Sequence, residues 1–237
     1  MRLLSRRNFL AGASALGFVP ATKKLKVVVA GGHPGDPEYG CGGTIAKYSG
    51  LGHDVTLLYL NRGEKGCPGK TPKACGSTRV AEAQRACEIL KAQARFADET
   101  DGQAVVDQAH YEAFRRILES EKPDVVFTQW PIDNHRDHRA TSTLIYDAWL
   151  RMNKRSALYY YEVSDGEDTL MFHPTDYVDI TQTEPRKRTA CYAHASQSPD
   201  RFYSLQSQVA HFRGIESGHA QAEAFIRQTA SPGNFLP

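Results

Sequence analysis

Two histidine-bearing stretches carry most of the chemical potential of this chain. One runs Gly31-Gly32-His33-Pro34-Gly35-Asp36-Pro37-Glu38 and continues to Thr44; the other is Pro131-Ile132-Asp133-Asn134-His135-Arg136-Asp137-His138. A third polar segment, Asn61-Arg62-Gly63-Glu64, lies between them. Each follows a short apolar run. If those runs are parallel strands, all three segments share the carboxyl-terminal rim of one sheet, where such sheets place their ligands. Neutral imidazoles and carboxylates meeting there in a set of three suit a zinc ion with one position left open for water.

Two plainer readings compete. The glycines could form a phosphate-binding turn, but the stretch has neither GxGxxG spacing directly after the strand nor a GK[ST] ending. His33 and His138 could be ordinary loop histidines. That explanation would serve for one of them, and the pattern of both loops together argues against it.

The positioning elements follow from periodicity. Residues 26–30 form a β-branched run closed by Gly31-Gly32, which reads as a buried strand. Further strands are expected at 54–60, 95–100, 124–129, 158–163 and 177–180. Helical patterns are expected at 42–48, at 78–93 with Thr78 as cap, at 110–121 before Pro123, and at 139–152, 184–195 and 201–214. The loop 61–77 is long and rich in Gly, Pro and Lys, and loops of that length are often functional. Strand and helix alternate, which predicts an α/β fold: a Rossmann-like three-layer sandwich with a mainly parallel sheet. No repeat or linker divides it.

At the histidine loops the sequence resembles the zinc-dependent de-N-acetylases of the PIG-L/LmbE type. That family opens with AHPDDxExGCGGT, matched here by Gly32-His33-Pro34-Gly35-Asp36 through Gly40-Cys41-Gly42-Gly43-Thr44. Its TxGE stretch corresponds to Asn61-Arg62-Gly63-Glu64, its RxxE helix start to Arg79 and Glu82, and its HPDH to His135-Arg136-Asp137-His138. His194-Ala195-Ser196-Gln197 is a later family-like segment, and the resemblance spans about residues 25–225. It implies one Zn²⁺ per chain, with another divalent metal as the alternative, held by His33, Asp36 and His138. It also implies a substrate that is an N-acetylated amino sugar or its conjugate, deacetylated by zinc-activated water. His135 would polarise the amide carbonyl or protonate the leaving amine, and Asp137 would hold the His135 ring. Arg62, with Glu64 beside it, would meet polar groups of the substrate. Glu64 equally suits a structural role, and Arg79 with Glu82 reads as a helix-start network.

One position departs from the pattern. The first Asp of HPDD, the family's general base, is Gly35 here. Zinc alone can bring a bound water's pKa to about 7, whereas a general base typically adds about 10²–10⁴-fold. Asp133 or Glu64 could reach the water, or His135 could serve as both base and acid. The alternative from another class is a metal-containing glycan-binding protein that does not hydrolyse its ligand.

The amino terminus reads separately from the domain. Ser5-Arg6-Arg7-Asn8-Phe9-Leu10, the mild apolar run to Val19 and then Pro20-Ala21 have the layout of a twin-arginine-type export signal. This predicts a signal peptide over 1–21, a deacetylase-like domain over 22–237, and a periplasmic or extracellular location. The formal charge is +2, and losing Arg2, Arg6 and Arg7 with the signal would leave −1. No basic excess then favours nucleic acid, and no apolar run approaches the roughly 18–20 residues of a membrane span. With 41% hydrophobic residues, 237 residues suffice for one sizeable core. Of the five cysteines, Cys67 and Cys75 flank a loop that a disulfide could close, while Cys41, Cys87 and Cys191 read as small buried hydrophobes.

Overall fold

Val27 and Val29 pack into one apolar cluster and Val28 and Ala30 into another, so a single strand feeds two cores on opposite faces. That strand, β1 (Lys26–Gly31), is the middle of the fold. The computed structural model describes residues 23–163 and 168–237. The expected signal segment over 1–21 lies outside them.

The chain alternates as the sequence predicts. After β1 come α1 (Asp36–Gly50), β2 (Asp54–Asn61), α2 (Pro72–Leu90), β3 (Gln93–Glu99), α3 (Gln108–Glu121), β4 (Val125–Gln129), α4 (Arg136–Arg151) and β5 (Ala157–Tyr161). Then follow β6 (Asp176–Asp179), α5 (Glu184–Tyr192), a short 3₁₀ turn Ala195–Gln197, α6 (Pro199–Ser217) and β7 (Ala222–Arg227). The sheet order is β3-β2-β1-β4-β5-β7-β6. Strands β3 to β5 are parallel, whereas β7 runs antiparallel to both neighbours. Helices cover both faces in an α/β three-layer sandwich. The strand order reverses between β1 and β4, so the loops after those two strands face one another across the crevice. They are the two histidine loops.

Four sequence expectations need correction. Helix α1 begins at Asp36, not near residue 42. Pro37 and the acidic Asp36 and Glu38 favour its first turn. Its glycines permit contact that larger residues would block: a Cβ on Gly40 would stand 2.3 Å from Tyr161, and one on Gly43 2.5 Å from Ile180. Helix α2 starts at Pro72, capped by Thr71, whose Oγ1 accepts from the Ala74 N–H at 3.3 Å; Thr78 lies inside the helix. The long loop is correspondingly shorter. Helix α4 starts at Arg136, which puts His138 on its first turn rather than in the preceding loop. Strand β7 escaped sequence reading because its ladder partners are remote: Phe225 pairs with Tyr161 and Asp176.

Cys67 and Cys75 form the expected disulfide, Cα to Cα 5.6 Å, and Cys41, Cys87 and Cys191 are free and buried. Closing so short a loop should contribute about 2–3 kcal/mol through the entropy of the unfolded chain. Thiol titration of the denatured protein should find the three free cysteines without reductant and all five with it. Equal counts would rule the bridge out.

Candidate active site

The β1–α1 loop supplies His33 and the first residue of α1 is Asp36; His135 caps α4 and His138 lies on its first turn. Asp36 Oδ2 lies 3.4 Å from His33 Nδ1 and 3.3 Å from His138 Nε2. A tetrahedral ion with bonds of about 2.0–2.1 Å has ligand–ligand edges of about 3.3–3.4 Å. Both distances match such an edge, and two imidazoles with one carboxylate are a donor set that suits a divalent metal; by mutual spacing, His33 groups with His135 and His138 or with Asp101 and Asp137.

Each imidazole is oriented from behind. His33 Nε2 faces Asp137 Oδ2 at 3.2 Å and Asp101 Oδ1 at 3.3 Å, which leaves Nδ1 for a metal. His138 Nδ1 faces Asp133 Oδ1 at 3.1 Å, which leaves Nε2. These contacts reassign two residues. Asp133 is not placed to reach a water in the cavity: its buried carboxylate is occupied by His138, by the His135 N–H at 2.7 Å and by Thr169 Oγ1 at 3.0 Å. Asp137 does not hold the His135 ring with its carboxylate, which accepts from Asn61 Nδ2 and the Gly102 N–H and faces His33. Only its backbone N–H reaches His135, donating to Nδ1 at 3.2 Å.

That last bond has a chemical consequence. With Nδ1 accepting, neutral His135 carries its proton on Nε2 and is a hydrogen-bond donor. Burial, then the charges of His33 and His138, lower its pKa and keep the ring neutral at pH 7. Its ring centroid stands 4.6 Å from that of His33 and 4.7 Å from that of His138. Spacing alone also admits His135 into a metal-binding group with those two histidines. Asp36 is the better third ligand, because it meets both imidazoles and carries charge.

The carboxylates hold protons on His33 and His138. Burial opposes this, but contacts with Asp101, Asp137 and Asp36 raise His33 well above its usual pKa. For His138, burial likewise opposes, yet Asp36 and Asp133 push its pKa up to about 9. Burial would raise Asp36, but the two imidazoles hold it well below the usual range, so it stays ionised. A metal would therefore displace protons from both histidines at pH 7, and apparent affinity should rise with pH through about 9, where His138 loses its proton. Calorimetric titration with Zn²⁺ in two buffers of different ionisation heat should show that release. A buffer-independent heat would refute the protonated histidines.

His33, Asp36, His135 and His138 line a cavity of about 240 Å³ whose walls also include Tyr39, Arg79, His194, Gln197, Phe202 and Gln206. Arg62 and Glu64, expected to meet substrate, do not line it. The Arg62 side chain is 49% exposed and pairs with Asp98 at 2.8 Å. Glu64 lies against Gly76 of α2. Arg79 takes their place on the wall. It is 7% exposed and donates from Nη2 to the Pro34 carbonyl. The expected helix-start network of Arg79 and Glu82 does not form, because α2 starts at Pro72 and both lie inside it; Glu82 instead accepts from the Ser196 N–H and Oγ, each at 2.7 Å. His194 donates from Nε2 to Glu38 Oε1 at 2.9 Å, which ties the HxSQ segment to α1. Asp101 had no sequence signal, since nothing near it in the chain announces a partner for His33.

The site is a group of histidines and carboxylates that could hold a metal, at the switch point of an α/β sheet. The family model described as PIG-L, GlcNAc-PI de-N-acetylase, matches residues 27–149, and the chain belongs to that family. Among its relatives is the diacetylchitobiose deacetylase of Thermococcus kodakarensis, 28% identical over 235 residues that cover 92% of this chain and 87% of that one. The N,N'-diacetylchitobiose deacetylase of Pyrococcus horikoshii has a similar fold, with a TM-score of 0.76 at 23% identity, covering 88% of this chain and 87% of that one. So does 4-carboxy-2-hydroxymuconate hydratase from Pseudomonas putida, with a TM-score of 0.78 at 21% identity, covering 90% of this chain and 100% of that one. One fold thus hosts both deacetylases and a hydratase, and the reaction has to be argued from the site.

Proposed function

We propose that the protein is an exported, metal-dependent deacetylase. It hydrolyses the N-acetyl group of an amino sugar of the N-acetylglucosamine type, or of a conjugate of one. The observation that carries this reading is Asp36 standing 3.4 Å and 3.3 Å from two imidazoles, each with a carboxylate behind it. His33, Asp36 and His138 would hold one zinc ion. Bound there, a divalent metal supplies Lewis acidity, lowering the pKa of a water towards 7 and polarising an amide carbonyl.

The chain's own groups do the rest. His135 donates from Nε2 to the carbonyl oxygen as negative charge develops on it, the role of an oxyanion-hole donor. Asp133 and Asp137 keep the two ligand rings in the tautomers that face Asp36. Neither carboxylate expected to stand in for the base does so: Asp133 is turned behind His138, and Glu64 is off the cavity, whose lining does include Asp168. Gly35 adopts φ +112° at the start of α1, a backbone conformation that an Asp enters only with strain. A bound metal would ease loss of the attacking water's proton to solvent by lowering the water's pKa. The export reading rests on the twin-arginine-type layout of residues 1–21. Among the described residues no helix is long and apolar enough to cross a membrane.

Gly35 favours a second reading, a glycan-binding protein that retains its ligand intact. One assay separates the two. The zinc-loaded protein should release acetate from N,N'-diacetylchitobiose or from N-acetylglucosamine conjugates. Binding of these compounds at full metal content with no acetate released would overturn the enzyme reading.

A further inference from the structure

Among the described residues that line the cavity, only Asp36 and Asp168 carry carboxylates. Asp36 faces the imidazoles of His33 and His138. The other acids around the histidines lie outside the lining, Asp133 behind His138 and both Asp101 and Asp137 behind His33. With glycine at position 35, Asp168 is the one cavity acid left for moving a proton.

The fold brings it there by a defined route. Strand β5 is parallel to β4, so the chain leaves it on the rim that carries the histidines. The segment that follows is laced to the one before α4. The Asn134 N–H donates to the Asp168 carbonyl at 2.8 Å, and the Leu170 N–H donates to the Ile132 carbonyl at 2.9 Å. Between them Thr169 forms a β-bridge with Asp133, and its Oγ1 donates to Asp133 Oδ2 at 3.0 Å. The other oxygen of that carboxylate faces His138 Nδ1 and accepts from the His135 N–H. One buried carboxylate thus fixes His135, His138 and the segment that carries Asp168. A sphere of the cavity's volume, about 240 Å³, is about 8 Å across, so an acid on its wall can meet a water held at the histidines directly or through one further water.

We propose that Asp168 is the general base of the hydrolysis, in place of the acid absent at Gly35 and in place of solvent. This role rests on the deacetylase reading and supplies the group that takes the proton. The Asp168 carboxylate accepts a proton from the attacking water as the water oxygen bonds to the acetyl carbon. The carbonyl π pair moves onto the carbonyl oxygen, to which His135 donates from Nε2. When that pair returns, the C–N bond breaks, its electrons go to nitrogen, and nitrogen takes the proton from Asp168. The free amine and acetic acid leave, and Asp168 is ionised again.

The test has a kinetic arm and a spectroscopic arm. In the zinc-loaded full chain, Asp168→Asn should lower kcat for acetate release by about 10²–10⁴-fold, with KM within about threefold and metal content at the parent level. Because the tether runs through the Asp168 backbone carbonyl, the substitution leaves it in place. Asp168→Glu should recover part of the loss, and Asp168→Ser serves if the asparagine variant does not fold. The second arm needs no turnover. In the Co²⁺-loaded protein, the visible spectrum should change as a coordinated water loses its proton. A carboxylate beside that water disfavours the loss, so Asp168→Asn should move the midpoint down by about one pH unit. An asparagine variant with parental kcat, a loss confined to KM or tracking metal content, or an unmoved cobalt midpoint would overturn the assignment. A parent protein that releases no acetate would instead fail the deacetylase reading, while the cobalt midpoint still decides whether Asp168 stands beside the water.

Discussion

His138→Ala should reduce bound metal from about one ion per chain to almost none, and acetate release with it. In the proposed site the imidazole would supply one of three ligand atoms, and its Nε2 lies 3.3 Å from Asp36 Oδ2. Without it a metal would keep His33 and Asp36, too few to hold zinc against water. The substitution also strips Asp133 of a partner inside a fully buried pocket. Asp133→Asn is the graded comparison. It keeps the ligand and weakens its orientation, which typically costs about 10–100-fold in metal affinity. Elemental analysis after dialysis decides between the two outcomes. Stoichiometric metal in folded His138→Ala would sink the ligand assignment.

His135→Ala should lower kcat by about 10²–10³-fold while metal content stays at the parent level. That range is typical for removal of one donor to a developing oxyanion. The expectation follows from tautomer: the Asp137 N–H occupies Nδ1, so Nε2–H is the end that faces the chemistry. His135→Gln, which offers an amide N–H at similar reach and does not titrate, should recover part of the loss. Because burial and the neighbouring imidazoles lower its pKa, the working form of His135 is already the neutral one at pH 7. Loss of metal from His135→Ala would instead make it a ligand alongside His33 and His138, a grouping that spacing permits. A metal-loaded alanine variant with parental kcat would remove it from catalysis.

Much of this was legible in the chain because it depends on local order. The unbroken apolar run from Val27 to Ala30 marks a strand buried on both faces. The run from Asp133 to His138 carries its own signature, as does the disulfide loop between Cys67 and Cys75. The HPDD-like and HPDH motifs place their histidines at the ends of β1 and β4 by sequence position alone.

Less local relations were read wrongly or missed. Arg62 and Arg79 both belong to recognisable motifs, and nothing in their spacing says which one faces the cavity. Packing decides it. Arg62 is drawn outward to Asp98, while Arg79 is held against the Pro34 carbonyl by the close approach of α2 to the first loop. Asp101 lies 68 positions from His33, which its carboxylate orients at 3.3 Å. Asp133 and Asp137 appear in sequence as a matched pair around His135, yet the first turn of α4 sends one to His138 and the other to His33.

From the sequence alone came the alternating architecture, the rim on which ligands must fall, the identities of His33, Asp36, His135 and His138, and the absence of the usual acid at position 35. These are properties of residue type and spacing, which survive any detail of packing. The tertiary structure decided which carboxylate stands behind which imidazole, which nitrogen of His135 is free, and that Arg79 and Asp168 line the cavity with Gly35. Those depend on side chains brought together from distant elements, where a rotation of one helix turn exchanges partners and the one-dimensional chain holds no record of the distance.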